Sequence, residues 1–111
     1  MKTTCPKTEY SPKFWAGMLN RMAVSFHKYG PCKKSTADMI GNIRARLAKY
    51  EATGNTEYLM DAANFAMIEF MHPKHPEAHF EATDDKGSPG LVFPGSSRPR
   101  RGVDNQGERI T

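Results

Sequence analysis

GNTEYLMDAANFAMIEF, residues 54–70, decides the fold, because at about 100° per residue its apolar side chains leave almost no polar side. Leu59, Met60, Ala62, Ala63, Phe65, Ala66, Met67, Ile68 and Phe70 surround it, and Met71 extends the run. A helix that is apolar on most faces belongs between other elements, so this one is expected at the centre, packed against neighbours on more than one side. Asn55 or Thr56 is placed to cap its start, and Glu57 in the first turn suits the positive end of the helix dipole.

The neighbours lie upstream. Ser11-Pro12 reads as a helix start, since Ser caps free amides and Pro fits the first turn, where its missing N–H costs nothing. From there Phe14, Trp15, Met18, Leu19, Met22, Phe26 and Tyr29 recur at intervals of three and four, until Gly30-Pro31 stops the helix. Ser35 followed by Asp38 resembles a capping box with Asp in place of Glu, and Met39, Ile40, Ile43, Leu47 and Tyr50 continue as an amphipathic stripe to Thr53-Gly54. Connections this short favour antiparallel neighbours and predict an all-α fold with a three-helix core.

After His72-Pro73 the chain becomes rich in Pro, Gly, Ser and charge, too polar to build a core of its own. The expected organisation is a helical domain over 1–80 and an irregular strap and tail over 81–111. Phe80 is the expected apolar anchor of the strap, and Leu91, Val92 and Phe93 form a short apolar segment suited to docking on the helices or on a second subunit. A core this small, with one helix apolar on most faces, predicts a homo-oligomer, most simply a dimer.

Composition narrows the function classes. A chain of 111 residues with 38% hydrophobic and 25% charged residues is that of a soluble protein with one core. It has neither a membrane-length apolar run nor a secretory leader, so the expected location is the cytoplasm, including that of a host cell. The two cysteines, Cys5 and Cys32, have no CxxC spacing, which argues against a thiolate zinc site. The net charge of +4 is uneven: residues 1–54 carry ten Lys/Arg against three Asp/Glu, and residues 55–80 carry one against four. A basic half followed by an acidic helix suits an anionic partner, either nucleic acid or a phosphorylated small molecule.

Glu57, Asp61 and Asn64 fall on one side of the central helix, whereas Glu69 points elsewhere. Two carboxylates and an amide oxygen on adjacent turns can hold a hard cation such as Mg²⁺, which keeps waters for a phosphate to replace. The competing reading is structural: Glu57 serves the helix start, Asp61 pairs with a Lys or Arg from another helix, and Asn64 bridges to backbone. For the phosphates, Lys28, Arg44 and Arg46 are the candidate cations; Lys28 also suits the negative end of the first helix.

EYLMDAANFAMIEF resembles the metal-binding helix of the MazG-like all-α nucleotide pyrophosphohydrolases. That resemblance implies acids on two helices holding Mg²⁺ while water attacks a bound triphosphate, with Glu57 matching the first glutamate of the motif and Asp61 its aspartate. Tyr58 stands where the family has a second glutamate, and the preceding helix offers only Asp38 and Glu51 in place of an ExxE pair. The implied function therefore shifts from hydrolysis toward binding a metal–nucleotide complex. In style, a short Met-rich helical chain with a basic tail, the protein also resembles small accessory proteins of bacteriophages.

Other constellations are less specific. His72, His75 and His79 have a spacing that binds zinc on a helix, but Pro73 and Pro76 predict an extended segment. Arg98, Arg100 and Arg101 resemble the basic arms that contact nucleic-acid phosphates or an acidic protein. Neither GxGxxG nor GxxxxGK occurs, and no GxSxG turn marks a nucleophile. Two expectations follow: a MazG-like binder of a metal–nucleotide or other phosphorylated ligand with compromised pyrophosphohydrolase activity, or a non-enzymatic phage-type protein acting on a host protein or nucleic acid through its basic surface.

Overall fold

The structure, a computed structural model, describes residues 4–83 and 87–94. The fold is all-α, built on three helices: α1 (Pro12–Tyr29), α2 (Met39–Thr53) and α3 (Glu57–Met71). Short 3-10 turns at Lys7–Glu9 and Cys32–Lys34 precede the first two. The chain divides into a unit Met1–Ala78, which holds every helix found among the described residues, and a unit His79–Thr111, whose described residues contain neither helix nor strand.

Local chemistry sets the helix ends. Ser11 Oγ accepts from the Phe14 N–H at 3.0 Å, so the first helix starts where the Ser-Pro pair predicts. The second starts later than a Ser35 cap implies. Ser35 Oγ accepts from the Ala37 N–H at 3.1 Å and closes a turn, while Asp38 Oδ1 caps the Gly41 N–H at 3.0 Å. Asp38 is thus the N-cap itself, because the short hydroxyl is spent two residues on and the longer carboxylate reaches the first turn. Gly54 ends α2 with a left-handed φ of 74°, which only glycine adopts without strain. At the next start Asn55 Oδ1 accepts from the Glu57 N–H at 3.0 Å, and Thr56 is the N-cap without a side-chain bond.

α3 is the central helix, packed broadly on α2 and less broadly on α1. Gly17 permits the approach of α1: a Cβ there would lie 2.6 Å from Met60 Sδ. The buried side chains are few: Met18 from α1, Met39 from α2, and Ala62, Asn64 and Ile68 from α3. The apolar faces expected of α1 and α2 are only partly used. Trp15, Leu19 and Phe26 on α1 and Ile40 and Leu47 on α2 are exposed, because each helix meets α3 along one edge of its stripe. Phe70 and Met71, at the end of α3, are exposed as well.

In the second unit Phe80, the expected strap anchor, is 83% exposed, and Leu91, Val92 and Phe93 are exposed too. No helix among the described residues is long and apolar enough to cross a membrane.

Candidate functional site

The sequence puts Arg21 four residues before Ser25 and seven before Lys28, on one side of α1, and Asp61 four before Phe65 on α3. The fold turns these sides toward one another around a cleft of about 250 Å³. Its walls carry Arg21, Ser25 and Lys28 from α1, Arg46 from α2, and Asp61 and Phe65 from α3, with Asn64 among the lining residues. Three cations thus face one carboxylate, so the cleft favours an anionic ligand.

Arg21 holds the acidic stripe. Its Nε donates to Asp61 Oδ1 at 2.6 Å, and its Nη1 forms an ion pair with Glu57 Oε2. The hydrogen bond to Asp61, opposed by partial burial and reinforced by the charges of Asp61 and Glu57, raises the guanidinium above the usual arginine value. The Asp61 side chain is 17% exposed and that of Glu57 46%, so the first partner is the better shielded from solvent.

Arg46 is fixed from two directions. Its Nη1 donates to Asn42 Oδ1 at 2.7 Å, one turn back along α2, and its Cζ lies 4.9 Å from the centre of the Phe65 ring. A guanidinium spread over an aromatic face keeps its remaining N–H groups available in one plane, the geometry that suits a phosphate or a flat ring. Lys28 Nζ lies 5.5 Å from the ring centre of Tyr29, at the exposed end of α1.

Asn64 is 6% exposed. Its Nδ2 donates to the Met18 carbonyl at 3.0 Å, tying α3 to α1, whereas its Oδ1 is buried without a hydrogen bond. The bridge to backbone is the one expected of the structural reading. The unpaired oxygen is not.

Of the residues singled out in the sequence, Lys28, Arg46, Asp61 and Asn64 therefore come together in one cleft. Arg44 does not line it: it lies two residues from Arg46, on another side of α2, and is exposed. Glu57 touches the site through Arg21. Glu69 accepts from the Lys74 N–H at 2.9 Å and closes the chain after α3. Arg98, Arg100 and Arg101 lie outside the described residues. Arg21 was missed by sequence reasoning, although it stands three residues from Met18 and four from Ser25, and the acids needed a cation from another helix.

His75 Nδ1 accepts from the Glu77 N–H at 3.0 Å, and His79 Nε2 lies 3.4 Å from Glu81 Oε1. Among the described residues no three His, Cys, Asp or Glu side chains are grouped as metal ligands, and Cys5 and Cys32 are free thiols. No family model, curated protein or solved structure matches this chain.

Proposed function

We propose that the protein binds a phosphorylated small molecule of the nucleotide class in the cleft between α1 and α3, with Lys28 and Arg46 at the phosphates. The observation that carries this reading is the convergence of Arg21, Lys28 and Arg46 on a hollow that also offers the ring of Phe65. Its volume of about 250 Å³ is just below the usual range of ligand pockets, which leaves room for a base inside, with sugar and phosphates at the mouth. The resemblance of α3 to the MazG-like helix points to the same ligand class.

Mg²⁺ has a narrower part in this proposal than the sequence suggested. Two carboxylates bridged by a guanidinium are already paired, with one of their two charges balanced, so a cation at Glu57, Asp61 and Asn64 has to exchange with Arg21. The donor set fits an arginine better than a metal, and pyrophosphohydrolysis through a metal is no part of the reading. A thermal-shift panel tests it: nucleoside triphosphates raise the melting temperature without Mg²⁺, by mass action on the folded state. Arg46→Ala and Lys28→Ala lose the shift, and Arg44→Ala keeps it. A panel with no shift, or an Arg44→Ala protein that loses as much as Arg46→Ala, contradicts the proposal. A shift that appears only with Mg²⁺ and vanishes in Asp61→Ala returns the acids to the metal.

A second reading, a non-enzymatic interaction protein, is supported by a different observation. Trp15, Leu19 and Phe26 form one exposed apolar row on α1, of the kind that marks contact with another protein or a second copy. Under that reading Trp15→Glu abolishes the association and leaves ligand shifts untouched.

A further inference from the structure

Asn64 carries more information about the ligand than its neighbours do. A carboxamide has two donors and an acceptor oxygen, and buried polar atoms are paired in the great majority of proteins. Here the orientation of the amide is fixed by chemistry: the Met18 carbonyl can only accept, so the nitrogen must face it, and Oδ1 must face away. That leaves a neutral acceptor buried without a hydrogen bond in a residue that lines a cleft whose other polar groups are three cations, two hydroxyls and one carboxylate. A leucine would fill similar space at no such cost, since an unsatisfied buried acceptor costs about 1–3 kcal/mol.

The cations recognise the anionic part of a ligand and say nothing of the rest of it. Asn64 and Phe65 are adjacent on α3 and both line the cleft, one carrying a buried, unpaired acceptor and the other an aromatic ring with the Arg46 guanidinium over one face. A flat heterocycle bearing an N–H₂ group answers both. Building on the proposed nucleotide reading, we infer that Asn64 selects nucleotides whose base carries an exocyclic amino group, through donation from that group to Oδ1. Oδ1 is buried, so the contact forms when side chains lining the cleft change rotamer.

Two pairs of ligands test the effect, since each exchanges the exocyclic amino group for a carbonyl oxygen, with the adjacent ring acceptor becoming an N–H, and keeps the triphosphate: ATP with ITP, and CTP with UTP. Calorimetric titration of the full chain is expected to give at least about tenfold tighter binding for the amino member of each pair, the size of one buried acceptor satisfied or left unpaired. Asn64→Leu is expected to bring the two members together while inorganic pyrophosphate binds as before. Equal affinities for ATP and ITP and for CTP and UTP in the unmodified protein overturn the inference and leave the nucleotide reading standing, a result that needs no variant to fold. Discrimination that survives in a folded Asn64→Leu protein overturns it too. Binding of none of the four, with none of pyrophosphate, overturns both.

Discussion

At Arg21 one guanidinium meets two carboxylates of unequal burial, and the two contacts are not equivalent. The Asp61 carboxylate has less water around it to screen the contact, whereas Glu57 and Arg21 are each nearly half exposed. Double-mutant cycles should give a coupling of about 0.5–1 kcal/mol for Arg21 with Asp61 and a few tenths, at most about 0.3 kcal/mol, for Arg21 with Glu57. Raised salt should weaken the second more. Because the arginine value is raised in the fold, its contribution is complete at every pH below the ordinary arginine value and is lost only as the pH climbs through the folded one. Unfolding between neutral and mildly alkaline pH should therefore show no dependence traceable to Arg21. At Asn64 the substitutions separate shape from polarity. Asn64→Leu loses the bond to Met18 and relieves the unpaired oxygen, so urea denaturation should register a change of under about 1 kcal/mol. Asn64→Asp puts an acceptor against the Met18 carbonyl and should cost more, about 2–3 kcal/mol at neutral pH.

The helices themselves were legible because their punctuation is chemical. Ser11-Pro12, Gly30-Pro31 and Gly54 each do one thing to the backbone, and helix boundaries follow. Asp38 was placed wrongly in a box with Ser35 because both residues can cap, and only the geometry shows which amide each reaches. Faces were less legible than boundaries. A stripe such as Trp15, Leu19, Met22 and Phe26 announces an apolar surface but not its partner, and here α3 takes the side marked by Gly17 and Met18. Gly17 is therefore the residue to test. In a helix interior Gly17→Ala gains about 1 kcal/mol of propensity, offset by moving the tip of Met60, so stability should stay within about 0.5 kcal/mol; Gly17→Leu cannot be absorbed and should cost about 2 kcal/mol or more. At the end of α2, Gly54→Ala forces a side chain into the left-handed region and should cost about 1 kcal/mol by thermal or urea unfolding.

Across the molecule, the small number of buried side chains and the open cleft have a common cause. α1 meets α3 around Gly17, Met18 and Arg21, and beyond that point α1 and α3 enclose the cleft rather than each other. The polar stripe was visible in the sequence as a spacing, and so were Lys28 and Arg46 as charges. Their meeting was not, since it depends on which edges of α1 and α2 face α3. The identity of the cation beside Asp61 was hidden for the same reason. Amide-resolved chemical-shift mapping during a titration with ATP, without Mg²⁺, reads that meeting place directly. The largest shifts should fall on residues 21–29 of α1, Arg46, and residues 61–68 of α3, and they should disappear in Arg46→Ala. Shifts centred on Trp15 and Leu19, or no shifts at millimolar ATP, would contradict a phosphate-binding cleft between these helices.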